Sequence, residues 1–136
     1  PLHIAAQCSP QITALLVDAM IAKGISIDLR NSRGWTPLHN AACHGGDQIR
    51  VLQEKGADLN ARDNEGKTPL MHAIARTEEI YGDAGEHDRW ARASILIGRG
   101  ADVNLRDNGG KTALTMAIEA RNVKIIKELR EHGAKE

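Results

Sequence analysis

Apolar residues in the middle of the chain recur at the three- and four-residue spacing of an α-helix. Leu38, Ala41 and Ala42 follow this spacing and predict one apolar helix face. Thr36 and Pro37 stand directly before them. Threonine is a favoured helix cap, and proline loses nothing at the first helical position, so we expect a helix to begin at Pro37.

A second apolar set follows within a few residues. Ile49 and Leu52 predict another helix over 47–54, and Gly56 ends it because glycine readily adopts the conformation of a helix C-cap. The next segment, 60–66, is rich in Asn, Asp and Gly, which favour turns. The unit predicted is a helix, a turn, a second helix and a hairpin-like finger.

The last helix predicted from the pattern covers 123–130. Its apolar residues Val123, Ile125, Ile126 and Leu129 are expected to face inward. The charged residues between and after them are expected to cover the outer face, as the end of a stack requires: Lys124, Lys127, Glu128, Arg130 and Glu131.

Parts of this unit occur four times. The motif at the start of the first helix reads Pro1–Leu2–His3, Pro37–Leu38–His39, Pro69–Leu70–Met71 and Ala113–Leu114–Thr115. The glycines that end the units are 32, 44 and 33 residues apart, at Gly24, Gly56, Gly100 and Gly133. The third unit is therefore longer by about eleven residues, and fitting both of its ends to the period places an insertion near 79–89.

This motif and period resemble the ankyrin repeat. The resemblance implies an all-α solenoid of about four helix-turn-helix units with β-hairpin-like fingers. It implies one domain over 1–136, with repeats at approximately 1–34, 35–66, 67–110 and 111–136. Because the chain begins within a motif copy, we expect a fragment truncated at its N-terminus.

The resemblance also implies where a partner would bind. Ankyrin repeats stack into a right-handed array, and a concave groove of finger tips and first helices usually contacts another protein. The positions of this chain that match those contact positions are Ser32, Arg33, Trp35, Cys43, His44, Asn64, Glu65, Lys67, Arg76, Asn108 and Lys111.

Two features of the fingers allow alternative interpretations. Trp35 occupies a position where the other fingers carry lysine, so it is either a binding anchor or a residue that packs on its own finger or on Arg33. Arg30, Arg62 and Arg106 recur at one position of three fingers. They are either paired between fingers or part of a basic stripe for an acidic partner.

The insertion suggests a second surface. It contains Tyr81 and His87, and Trp90 follows it. Long loops are often functional, although they are also tolerated at little entropic cost. The alternative is that Tyr81 and Trp90 cover the ends of their own helices.

Composition excludes several classes of function. Lys plus Arg equals Asp plus Glu at 18 each, so no net field favours nucleic acid or an anionic membrane. The apolar runs are too short to span a bilayer. With two Trp, one Tyr and no Phe, the interior must consist of aliphatic residues and alanine, which suits thin stacked layers.

The cysteines and histidines do not form a reactive pattern. Cys8 and Cys43 are too few for a disulfide framework and predict free thiols in a reducing compartment, hence a cytoplasmic location. His3 and His39 belong to the repeat motif, where a structural role is expected. No zinc, phosphate-binding or catalytic-triad spacing is present, so we expect no catalytic residue, metal site or cofactor.

The sequence therefore predicts a non-enzymatic, monomeric module that binds an unknown protein partner through its groove. Two alternatives remain. The chain could be the recognition segment of a larger enzyme or secreted effector. It could also be a small inhibitor or immunity protein that uses the loop around Tyr81.

Overall fold

A computed structural model of the chain describes residues 10–44, 46–75 and 86–135. Over these residues the chain forms seven α-helices and no β-strand. The helices are α1 (Pro10–Ala22), α2 (Pro37–His44), α3 (Gly46–Glu54), α4 (Pro69–Ile74), α5 (Glu86–Gly98), α6 (Ala113–Glu119) and α7 (Val123–Glu131). The all-α class predicted from the sequence is confirmed.

The helices form two layers. α2, α4 and α6 stack in one layer, and α1, α3, α5 and α7 stack in the other. Each short helix also packs on the longer helix that follows it, α2 on α3, α4 on α5 and α6 on α7. One leucine from each of five successive helices is fully buried between the layers: Leu38, Leu52, Leu70, Leu96 and Leu114. The core is thus shared between neighbouring repeats, and each repeat depends on the next for its stability.

The described first helices begin directly after Thr36, Thr68 and Thr112, with two kinds of cap. Thr68 Oγ1 accepts the N–H of Met71 at 3.3 Å, and Thr112 makes the same bond to the third residue after it at 3.2 Å. In the α2 motif His39 is the third residue, and its Nδ1 lies 3.1 Å from the Thr36 nitrogen and 2.9 Å from Thr36 Oγ1. The imidazole ring of His39 therefore bonds to both the backbone nitrogen and the hydroxyl of Thr36 at the start of α2.

Three fingers project from the layers: residues 25–36 (finger 1), 57–68 (finger 2) and 101–112 (finger 3). In each finger one Oδ1 accepts the backbone N–H groups two and four residues further on, at 2.9–3.0 Å. These three residues are Asn31, Asp63 and Asp107. The same residues donate their own N–H to the carbonyl four residues on, which closes each finger as a hairpin-like turn.

The last repeat corrects two details of the predicted pattern. Ile125 and Leu129 are buried as expected, but the exposed fraction of Val123 is 76%. Val123 lies two residues before Ile125, and two residues correspond to about 200° around a helix, so both cannot face the core. Glu128, expected on the outer face, is instead half-buried against α5.

The predicted insertion overlaps the described helices. α5 begins at Glu86, so residues 86–89 form its first turn. The rest of the insertion, 79–85, lies outside the described residues. Within the part of the chain that the structure describes, no helix is long and apolar enough to cross a lipid bilayer.

Candidate functional site

A groove on the described surface lies between fingers 2 and 3. It has a volume of about 590 Å³, and α4 and α6 form its base. Five of the residues predicted to contact a partner line it: Asn64, Glu65, Lys67, Asn108 and Lys111. Its apolar floor consists of Ala75, Met116 and Ala120. The geometry therefore joins two fingers and two first helices in one concave surface.

The lysines of this groove are held by carboxylates of the same chain. Lys67 Nζ lies 2.7 Å from Glu65 Oε2. Lys111 Nζ lies 3.0 Å from both carboxylate oxygens of Glu119. The hydrogen bond that Lys67 donates to Glu65 raises the pKa of Lys67, and the charge of Asp107 acts in the same direction. The groove wall thus carries fixed ion pairs rather than free cations.

The two predicted asparagines form a ladder along the finger tips. The Nδ2 of Asn64 donates to the carbonyl of Ser32 at 2.9 Å, and its backbone N–H donates to Arg33 at 3.1 Å. Asn108 repeats both bonds onto finger 2, with Nδ2 3.0 Å from the carbonyl oxygen of Asn64 and its N–H 2.9 Å from that of Glu65. Their amide groups therefore align the fingers, and each Nδ2 uses one of its two N–H groups between fingers.

The recurring arginines make a second ladder of hydrogen bonds between fingers, as the first interpretation expected, although the acceptors are backbone carbonyls. Arg30 donates to the carbonyl of Arg62, and Arg62 Nη2 donates to the carbonyl of Arg106 at 2.6 Å. Arg106 Nη1 folds back onto the carbonyl of Gly110 in its own finger at 3.0 Å. Arg30 and Arg62 thus connect neighbouring fingers through backbone carbonyls and help to fix the spacing of the fingers.

Trp35 lies half-buried at the base of finger 1, against two histidines. Its ring centroid is 4.7 Å from that of His72 and 6.5 Å from that of His39. The guanidinium of Arg33 lies 5.7 Å above the indole ring. Trp35 thus packs between its own finger and the first helices of two repeats, as the second interpretation expected.

The two histidines under Trp35 have defined hydrogen-bond partners. His39 Nε2 lies 3.0 Å from the carbonyl oxygen of Lys67, and His72 Nε2 lies 2.7 Å from Asp63 Oδ2. Burial lowers the pKa of His39 to about 4 and also lowers that of His72. Burial acts to raise the pKa of Asp63, but the hydrogen bonds it accepts from His72 and a backbone N–H outweigh burial and hold that pKa low. A neutral His72 therefore donates to an ionised Asp63.

His39, Asp63 and His72 are also the described residues whose spacing could hold a metal ion. A metal ligand needs a free lone pair. His39 Nδ1 accepts from Thr36, and its Nε2 donates to a carbonyl. Asp63 accepts hydrogen bonds from His72 and from two backbone N–H groups. Through these hydrogen bonds the three residues connect finger 2 to the first helices α2 and α4.

Two further predicted site residues that the structure describes, Cys43 and Trp90, do not line this groove. Cys43 is half-buried at the end of α2, where burial raises the pKa of its thiol to about 11. Trp90 Nε1 donates to Glu128 at 3.0 Å, and Lys124 lies 5.6 Å above its ring, so Trp90 joins α5 to α7. Arg76 and Tyr81 and the side chains of His44 and His87 lie outside the described part of the chain.

The sequence interpretation missed part of the groove floor. Met116 is almost fully buried, yet it contributes to the floor, and its position four residues before Ala120 places both on one helix face. The four-residue spacing in the sequence could therefore have indicated that Met116 lies beside Ala120. Asp107 was not among the predicted contact residues, and it both closes the turn of finger 3 and lines the groove.

The comparisons with known proteins agree with this architecture. Two stacked layers of short helices with projecting fingers define a repeat protein with a concave interaction surface. Residues 1–81 match the family model described as ankyrin repeats in three copies. The chain therefore belongs to the ankyrin repeat family, whose members are generally protein-interaction modules and typically not enzymes.

The chain is similar to parts of several larger proteins. It is 44% identical over 49 residues to "Ankyrin repeat-containing protein P1E11.10" of Schizosaccharomyces pombe, covering 35% of this chain and 24% of that protein. It is 33% identical over 78 residues to "B-cell lymphoma 3 protein homolog" of Mus musculus, covering 54% and 17%. It is 39% identical over 80 residues to "Putative ankyrin repeat protein FPV031" of fowlpox virus, covering 54% and 23%. The chain spans less than a quarter of the length of each relative.

Proposed function

We propose that the chain is a non-enzymatic module that binds a protein partner through the groove between fingers 2 and 3. The observation that carries this proposal is the groove itself, in which five predicted contact residues and an apolar floor line one concave surface. A monomeric state and a cytoplasmic location remain predictions from the sequence.

Rigidity of the fingers supports this proposal. Asn64 and Asn108 each hold their finger tip to the preceding finger. Arg62 of finger 2 adds a hydrogen bond to the carbonyl of Arg106 in finger 3. A surface that is already ordered loses little conformational entropy when a partner binds. Less of the favourable contact energy with the partner is then offset by the ordering of the fingers.

A second candidate function is that of a recognition segment within a larger protein that carries its activity elsewhere. The favouring observation is that the chain covers 24%, 17% and 23% of the three relatives. In that case the groove would select the substrate or target of the larger protein. The isolated chain would bind this target without acting on it.

Capture of partners from the native organism tests the proposal. We would compare the unaltered chain with Ala120→Arg, which places a long charged side chain in the groove, and with Arg50→Glu, which changes an exposed residue of α3 in the other helix layer. A groove-bound partner is lost with Ala120→Arg and kept with Arg50→Glu. Equal capture by all three proteins contradicts the groove as the binding surface.

A further inference from the structure

Building on this proposed function, we propose that the groove between fingers 2 and 3 binds a protein segment in which an aliphatic side chain stands beside a lysine or arginine. The aliphatic side chain would occupy the floor, and the basic group would meet the carboxylates of the wall. This assignment follows from the shape of the floor and from the charges around it.

The floor provides an apolar depression with small residues at its edges. Met116 is buried beneath it, while Ala75 and Ala120 are half-buried at the C-terminal caps of α4 and α6. An alanine at each cap leaves open space that a longer side chain would fill. An aliphatic side chain placed there would contact all three residues and bury its surface, which favours binding.

The described charges of the wall favour a basic neighbour for that side chain. Three carboxylates, Glu65, Asp107 and Glu119, line the groove with two lysines. Each lysine already has a carboxylate partner, at 2.7 Å for Lys67 and 3.0 Å for Lys111. One negative charge, formally that of Asp107, is left without a salt bridge among the described residues.

An acidic partner is disfavoured by the same geometry. To reach Lys111 a partner carboxylate would have to replace Glu119, which holds the lysine with both oxygens. It would also meet the excess of negative charge among the described groove residues, and like charges at an interface cost affinity. A basic side chain of the partner would instead be attracted to Asp107 and Glu119. It would leave the ion pairs of Lys67 with Glu65 and of Lys111 with Glu119 in place.

Selection from a random displayed peptide library tests this inference with a defined probe. Peptides are selected on the unaltered chain, and their affinities are measured for this chain, Ala120→Trp, Glu119→Gln and the control Arg50→Glu. We expect an aliphatic residue within two positions of Lys or Arg among the selected peptides. We expect Ala120→Trp to weaken them by about tenfold or more, and Glu119→Gln by several-fold, with the latter loss diminishing at high salt.

The other outcomes contradict the inference in distinguishable ways. Peptides that lose binding with Ala120→Trp but carry acidic or aromatic residues without a basic one contradict the stated partner chemistry and leave the groove function intact. Peptides that bind all variants equally, or no enrichment above an unrelated protein, also contradict the inference. In those cases the capture experiment decides separately whether the groove binds a native partner.

Discussion

Gly34 and Asn64 approach each other so closely that finger 1 has no room for a side chain at this glycine. A Cβ built on Gly34 would lie 2.5 Å from Asn64 Oδ1 and 2.7 Å from the Asn64 backbone nitrogen. Gly66 has the same relationship to Asn108 in the next finger, at 2.5 and 2.8 Å. The close stacking of fingers therefore depends on a missing side chain in one finger and an amide in the next.

This contact predicts unequal costs for two alanine substitutions. Gly34 and Gly110 have similar positive φ angles, 76° and 81°, but a Cβ on Gly110 would have no atom within 4 Å. Gly110→Ala should therefore cost only the strain of its backbone, about 1–2 kcal/mol. Gly34→Ala should cost at least about 1 kcal/mol more, because finger 2 must move. Urea unfolding of both variants measures the difference, and equal losses would show that the fingers separate freely.

Sequence reasoning predicted the fold because its signals are local. Thr68 with Pro69, and Gly56 after α3, act within a few residues of chain, so spacing alone located the helices. The finger ladder could not be predicted in this way. Asn64 looked like an exposed contact residue, and only the three-dimensional stacking of fingers shows that its amide is used by Ser32.

Acid should destabilise the protein through the histidines under Trp35. The folded chain holds the pKa of His39 at about 4, against 6.5 in the unfolded chain, so the unfolded chain binds this proton more readily. The free energy of unfolding should then fall as pH drops through this window, by about 3 kcal/mol at most from His39. His72 acts in the same direction, and Asp63 contributes below its ordinary pKa of 3.8.

Urea unfolding between about pH 7 and about pH 4.5 measures this dependence. His39→Gln should lower stability at neutral pH and flatten the slope, because the group that titrates has been removed. His132→Gln, which changes an exposed histidine, is the matched control and should keep most of the slope. A slope that is the same in His39→Gln and in the unaltered chain would assign the pH dependence to other groups.

Cys43 should react slowly although its side chain is only half-buried. The thiolate is the reactive form, and a pKa of about 11 leaves very little of it near neutral pH. In a Cys8→Ser background, alkylation by iodoacetamide at about pH 8 should be at least about tenfold slower than in the same protein unfolded by urea. Equal rates in the two states would mean that the thiol is not held in the environment described for α2.

The groove was only partly predictable from the sequence. The resemblance identified Lys67 and Lys111 as contact positions, because periodicity places both at the same point of their fingers. It could not show that Glu65 and Glu119 hold them, since pairing depends on side-chain reach within and between elements. The proposed preference for a basic partner therefore rests on the arrangement of charges in the groove and not on the net charge of zero.

Glu128 should matter more for stability than its position on the terminal helix suggests. One of its oxygens accepts the indole N–H of Trp90 at 3.0 Å, and the other accepts the hydroxyl of Ser94 at 2.6 Å. Both donors belong to α5, so Glu128 links the last repeat to the one before it. Glu128→Ala leaves these donors half-buried without their acceptor and should cost about 1–2 kcal/mol.

The matched control is Glu131→Ala, which removes an exposed carboxylate 4.0 Å from Lys127 and should cost less than about 0.5 kcal/mol. Because repeats are stabilised by their neighbours, the loss in Glu128→Ala should first increase hydrogen exchange in α7 and leave α2 protected. Equal stabilities for the two variants, or loss of protection throughout the chain, would show that Glu128 does not specifically join the last two repeats.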